Sequence, residues 1–315
     1  MSKLHVVAGA GPVGTTVAEQ LAAQGHRVRV LTRSGSGPDH PGIERLRVDV
    51  NDPHALDDAL TGPDGDSAVA LYLCIHGSAY SAEAWKRELP AAEQVALDAA
   101  GRVGAVVVFP ESLYSYSSPH EVMTEDSPRN ATRGKLGVRA RLLAARDAHS
   151  TPTVSVVASD FFGPHVLNAH AGERMVPTVL AGKTSRVLGS ADTPHSFTYV
   201  PDLAAAMIAA AGNDGVWNRV LHAPTAPAVT QRELATAFTT AAGIPAPKVG
   251  TIPTWVVRAG AVVNSDMREL AETVYMFTDP FVMDSSRTEA ALGLSPTPLA
   301  DAADTTVRWW QDRAR

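Results

Sequence analysis

The chain has 315 residues, of which 45% are hydrophobic and 19% charged, and its formal net charge is −6. That supplies a sizeable core in one large or two small domains. With no basic block, aromatic-basic interleaving or long acidic tail, nucleic acid and anionic membrane are excluded as default partners, and runs such as 204–211 are too short to span a bilayer.

The stretch Leu4 to Gly14, LHVVAGAGPVG, reads as a buried strand entering a glycine-rich turn and then a helix. Its glycines, Gly9, Gly11 and Gly14, have the spacing G-x-G-x-x-G. The first suits a tight turn, the second lets a pyrophosphate approach the backbone, and the third lets helix and strand pack closely. The helix, roughly Val13 to Gln24 with Gly25 as its stop, would aim its positive end at the phosphates, beginning at Pro12 and Val13. A second strand, Arg27 to Leu31, completes a β-α-β unit of about 30 residues. At its end stand Thr32, Arg33 and Ser34, with no acid before Asp39. An NAD site normally has a carboxylate there for the ribose 2′-hydroxyl, whereas an arginine suits a 2′-phosphate. The expected cofactor is therefore NADP, with NAD less favoured.

Residues 43–50 read as a third strand whose end, Asp49 and Val50, would border the adenine ring. A short helix follows at 53–60, then the continuous apolar strand SAVALYLCI at 67–75, as expected of a central parallel strand covered on both faces. A helix over 85–100, with Gly101 as its stop, a strand over 104–109, a long basic helix over 131–149 and a strand over 153–158 complete the alternation. The fold class is α/β: a doubly wound parallel sheet (Rossmann) spanning 1–160, with a smaller mixed substrate lobe over 161–315. Segments at about 190–225 would return to the sheet. In the second half a strand at 198–200 leads into a helix at 202–211 capped by Asp202. A strand over 216–222 and helices over 231–242, 256–277 and 299–311 follow.

The lone cysteine, Cys74, excludes an intramolecular disulfide and reads as a structural thiol in an apolar run. The eleven histidines are scattered without a His-x-x-x-His pair, so no metal site is expected. The N-terminal apolar run is broken by glycines and reads as a core strand, not a signal peptide. The expected location is cytoplasmic, with a small-molecule substrate as partner and a homodimer left open.

Several segments in order carry a resemblance: the glycine turn, Ser112-Leu113-Tyr114-Ser115-Tyr116, Ser159-Asp160-Phe161-Phe162-Gly163-Pro164, Phe197 to Ala204, and Leu292 to Pro296. Over nearly its whole length the chain resembles an extended short-chain dehydrogenase/reductase of the NAD(P)-dependent epimerase/dehydratase family. The resemblance places Ser112 at the family's catalytic serine and Tyr116 at a structural tyrosine. The family's hydride chemistry uses a Tyr and, four residues on, a Lys on one helix face. This chain has ATRGKLGVRARLL there, without a tyrosine. Lys135 and Arg139 take the two places, as in an atypical branch of the family.

Lys135 can then act as an acid or an anion clamp, or sit on a solvated basic face. Arg139 cannot exchange a proton but can hold a ribose or phosphate. Ser112 and Tyr114 are neutral hydroxyl donors at the expected crevice, and a nearby cation would lower the tyrosine's pKa so that it supplies the proton. Glu111 and His76 read as loop residues, and His195 and Phe197 as facing substrate. The five tryptophans read as core or interface. The expected activity is that of an NADP-dependent oxidoreductase acting on a small carbonyl or hydroxyl compound. The alternatives are a sugar-nucleotide-type epimerase/dehydratase and a non-catalytic dinucleotide-binding redox sensor.

Overall fold

The computed structural model describes residues 2–62 and 65–314. The first half alternates as β1 (Leu4–Ala8), α1 (Pro12–Ala23), β2 (Arg27–Thr32), β3 (Ile43–Arg47), α2 (Pro53–Leu60), β4 (Ala70–Leu73), α3 (Ala82–Val103), β5 (Val106–Ser112), α4 (Gly134–Asp147) and β6 (Thr153–Ala158). The second half contributes β7 (Asp160–Phe162), α5 (Val176–Leu180), β8 (Ser185–Leu188), β9 (Phe197–Tyr199), α6 (Val200–Ala211), β10 (Arg219–His222), α7 (Gln231–Ala241) and β11 (Val249–Ile252). It closes with α8 (Thr254–Gly260), α9 (Ser265–Thr273), α10 (Ser286–Leu292) and α11 (Leu299–Arg313).

Seven parallel strands form one sheet in the order β10-β6-β5-β4-β1-β2-β3. The order reverses between β1 and β4, so a crevice opens outside their carboxyl ends, where doubly wound sheets bind ligands. Both faces are covered. On one, Val17 and Leu21 of α1 meet Leu203 and Met207 of α6 over Val7 and Val30. On the other, Leu56 and Leu60 of α2 meet Ala96 and Leu97 of α3 over Val6 and Leu71. Each such buried Val, Leu or Met side chain contributes about 1.5–3 kcal/mol, which is why these strands read as unbroken apolar runs. Two parallel ladders, β7–β9 and β11–β8, stand apart from the main sheet. With α5, α7 and α11 they share a core around Phe162, Val187, Phe238 and Trp310. No helix among the described residues is long and apolar enough to cross a membrane.

Several boundaries differ from the expectation for local reasons. Helix α3 passes through Gly101 and ends at Gly104, whose φ of 72° provides the left-handed cap. Strand β5 runs three residues past Phe109, ending on Ser112. Strand β3 stops at Arg47, so Asp49 and Val50 lie beyond it. The single helix expected over 256–277 is broken into α8, α9 and a 3-10 turn at 274–277. Asn264 causes the break, because its side chain accepts the Met267 amide and starts α9 afresh. Helix α6 starts without a side-chain cap. Asp202 instead accepts the Thr297 amide and hydroxyl at 2.8 and 2.7 Å, tying α6 to the segment before α11.

Candidate active site

The glycine turn sits at the switch point, and its three glycines do three different things. Gly9 has φ +100°, and a Cβ there would meet the Cys74 carbonyl oxygen at 2.5 Å. A Cβ at Gly14 would run into the Gly9 carbonyl. At Gly11 a Cβ would meet nothing within 4 Å. Gly9 and Gly14 are thus demanded by the protein itself, while the space above Gly11 is free for a ligand. Pro12 occupies the first turn of α1, and no side chain caps that helix start, so its amides are left to an incoming anion. Val13 is buried behind the turn. At the far rim, the Thr32 hydroxyl donates to the Ser36 carbonyl, and the hydroxyls of Ser34 and Ser36 are 2.8 Å apart. Arg33 is exposed. Asp49 is held below the usual carboxylate range, chiefly by hydrogen bonds from the Asn51 amide and side chain, with a further contribution from Arg33. These residues fit a dinucleotide.

Helix α4 overturns the picture of a solvated basic face. Lys135, Arg139 and Arg146 lie at i, i+4 and i+11 and all point inward. Lys135 is fully buried; its Nζ donates to Glu269 Oε2 at 2.6 Å and lies 2.8 Å from Glu272 Oε2. Its backbone amide is taken by Glu272, and the Ala82 amide at the start of α3 by Glu269. Two carboxylates of α9 therefore neutralise the ammonium and cap two sheet-packing helices. Arg146 is held by both oxygens of Glu93, at 2.6 and 2.7 Å, and by Glu111 at 2.9 Å. Glu111, expected as a loop charge, is the buried hub of this network. Its other oxygen accepts the Ser112 amide and lies 3.5 Å from Arg139 Nε, which is buried without a hydrogen bond. Arg139 also lies over the Trp85 ring at 4.7 Å.

Ser112 ends β5 beside Ala158 of β6 and is half-buried. Tyr114 follows in a 3-10 turn, its hydroxyl 2.6 Å from that of Tyr80 and its ring stacked on Trp85. The expected lowering of its pKa by a cation does not occur. Burial, reinforced by Tyr80 and Asp160, pushes the phenol well above its ordinary value, and the nearby Lys135 charge is spent on two glutamates. His76 sits edge-on to Trp85 and is lowered by burial and by Arg139, against a hydrogen bond to the Gly77 carbonyl. Tyr116 is structural in geometry: its hydroxyl meets His222 Nε2 at 2.6 Å, and burial pushes it up to about 12. Burial likewise pushes the Cys74 thiol up to about 12.

His195 and Phe197 are buried rather than open to substrate. His195 Nε2 meets Asp160 Oδ2 at 2.9 Å and Nδ1 meets the Met276 carbonyl at 3.0 Å. Sequence reasoning also missed Tyr80, Asp160 and Tyr275. Asp160 lies in the segment Ser159 to Pro164 that follows β6, its one local signal; Tyr80 and Tyr275 have none, since their place depends on chain folded back from far away. Trp255 is not in the core: it is 69% exposed. A cavity of about 690 Å³ lies apart from this crevice, along the edge strand β10 between α4 and α10.

The model of the NAD dependent epimerase/dehydratase family matches residues 5–220. The chain belongs to that family. No curated protein matches. Among solved structures, the chain is similar in fold to the Bordetella bronchiseptica enzyme WbmH in complex with NAD+, at TM-score 0.75 and 17% identity, covering 100% of each chain. It is also similar to UDP-glucose 4-epimerase from Thermotoga maritima with UDP-glucose (TM-score 0.76, 15% identity, covering 99% of this chain and 100% of that one). A third is the dTDP-glucose 4,6-dehydratase DesIV from Streptomyces venezuelae, a double mutant with NAD and DAU bound (TM-score 0.72, 18% identity, covering 98% and 97%). Within the family, the chain differs in having Lys135 and Arg139 where the resemblance places tyrosine and lysine.

Proposed function

We propose that the chain is an enzyme that binds a nicotinamide dinucleotide in its glycine turn and oxidises a hydroxyl of a sugar-nucleotide-like substrate, transiently, as an epimerase or dehydratase does. The observation that carries this reading is the free space above Gly11 at an uncapped helix start, where both neighbouring glycines are demanded by packing. Membership of a family of epimerases and dehydratases supports the choice of reaction. The dinucleotide, when bound, supplies the hydride acceptor. Arg139, with one face on Trp85 and Glu111 behind it, is placed to hold the ribose or phosphate nearby. Ser112 offers a neutral hydroxyl to the substrate oxygen. Tyr114 does the same when Tyr80 donates to it, since its own proton is then free. Lys135 is assigned to anchoring α9, because its ammonium is fully engaged.

The test is incubation of the purified protein with UDP-glucose or dTDP-glucose and catalytic NAD+ or NADP+, with the sugar identified by NMR. An epimerised or dehydrated sugar, with no net dinucleotide reduced, is expected. A second reading, a net NADP-dependent oxidoreductase for a small carbonyl or hydroxyl compound, is favoured by Arg33 at the end of β2. It gives stoichiometric change in nicotinamide absorbance instead.

A further inference from the structure

Without the tyrosine, the reaction needs another group to take the hydroxyl proton. Lys135 is closed off by two carboxylates, arginine does not release its proton, and Tyr114 is held in the neutral form by burial. We infer that Asp160, oriented by His195, is the proton acceptor of this site. The inference rests on the hydroxyl-oxidation reading above.

Position is the first argument. Asp160 stands two residues past Ala158, which pairs with Ser112 across β5 and β6, so it emerges at the same carboxyl edge as the candidate serine. Tyr275 lies nearby: its ring packs edge-on against Phe281, which stacks on His195, the hydrogen-bond partner of Asp160. The Tyr275 hydroxyl is buried there without a hydrogen-bond partner, as expected of a donor reserved for a ligand.

The second argument is construction. His195 is 2% exposed in its side chain, whereas Asp160 is 22% exposed. The imidazole is wedged among Phe197, Phe277 and Phe281, parallel to Phe277 within 4° at 5.2 Å. With Nδ1 on the Met276 carbonyl and Nε2 on Asp160 Oδ2, it has no freedom to turn. It therefore fixes Oδ2, and the proton is assigned to the other oxygen, Oδ1. Burial alone would raise Asp160, but the hydrogen bond and charge of His195, with help from His170, hold it below the usual carboxylate range. The carboxylate is consequently charged at neutral pH and able to receive a proton.

In the step, the substrate O–H bond breaks and its proton joins Asp160 Oδ1. The electron pair left behind becomes the second C–O bond. The C–H bond on the same carbon breaks, and its electron pair passes as hydride to the oxidised nicotinamide dinucleotide. The substrate is oxidised, the dinucleotide is reduced, and His195 retains its protons.

The probes are UDP-glucose and a set of uncharged secondary alcohols, each with NAD+ and NADP+. Asp160→Asn should lower kcat by roughly 10²-fold or more while dinucleotide affinity, read by calorimetry, stays within about twofold. Asp160→Ala should regain activity with added formate, a rescue that a merely structural loss would not show. In the unliganded protein, Asp160→Asn should also shift the His195 Nε2 resonance in two-bond ¹H–¹⁵N spectra. The pH profile supplies a further readout, because the charged and titratable groups facing Asp160 are His195, His170, Tyr114 and Tyr275. A carboxylate held low keeps kcat/KM level as pH falls from 8 to 5; a fall across that range would point to a histidine base and overturn the inference. Full activity in Asp160→Asn, or its loss instead in His76→Gln, overturns this inference and leaves the hydroxyl-oxidation reading standing. No turnover of any probe by the parent protein overturns both.

Discussion

Helices α1 and α4 both lie on the parallel sheet, but they prepare the crevice by different physics. Helix α1 has no basic residue in its last turn and no acid in its first; what it offers is backbone, exposed by glycines at fixed spacing. Helix α4 offers three inward-pointing cations, two of them buried, each set by a carboxylate from distant chain: Glu93, Glu111, Glu269 and Glu272. A site built from backbone is specified by residues adjacent in sequence. A site built from paired charges exists only after the tertiary fold has brought the counter-charges in.

The contrast sharpens most at Arg146. Arg146→Met would leave Glu93 as an unpaired buried carboxylate and Glu111 with only the more distant Arg139, at a cost of about 3–5 kcal/mol. Urea unfolding should show that loss in its midpoint. A loss below about 1 kcal/mol would mean that α4 is held by packing and not by its charges. Lys135→Met should cost less, about 1–3 kcal/mol, because Glu269 and Glu272 keep side-chain exposures of 23% and 26%. Its distinguishing sign is faster hydrogen exchange in α9 with dinucleotide affinity unchanged. Weakened affinity with α9 still protected would return Lys135 to the role of anion clamp.

That difference also explains what was legible. The glycine turn, the succession along the chain of the first six sheet strands and the crevice edge followed from apolar runs and glycine spacing, which are local quantities. Ser112 was placed near the crevice from its segment alone. Lys135 looked like an acid, a clamp or a solvated charge because its two partners lie more than 130 residues away. Glu111 looked like a loop charge because nothing near it in sequence reveals that Arg146 and Arg139 converge on it. The break at Asn264 was hidden inside an otherwise helical pattern, and it is this break that turns Glu269 and Glu272 toward α4.

A smaller effect concerns acid stability. Burial, with the nearby charges of His26 and Lys3, pushes His5 down to about 4. Burial also lowers His170 and His222. The unfolded chain titrates these groups near 6.5. Between about pH 6.5 and 4 the unfolded state therefore binds more protons, and stability should fall as pH drops through that window and be fully present above it. A melting temperature level from pH 7 to 4.5 would contradict the burial of these rings. A further effect, on cofactor choice and not on stability, is expected at Arg33. A charge-assisted bond to a 2′-phosphate contributes about 1.5–3 kcal/mol, so roughly a tenfold preference for NADP(H) over NAD(H) should disappear in Arg33→Ala. Equal affinities in the parent protein would remove that argument.

The central claim is that the glycine turn holds a dinucleotide, and titration calorimetry of NAD+ and NADP+ into the parent and Gly11→Val proteins tests it directly. The valine Cβ meets no protein atom within 4 Å, so the variant should fold and melt as the parent does. Its dinucleotide affinity should nevertheless fall at least tenfold, because the new side chain fills the pyrophosphate path. Unchanged affinity in Gly11→Val, or no binding of either dinucleotide by the parent, would contradict the account.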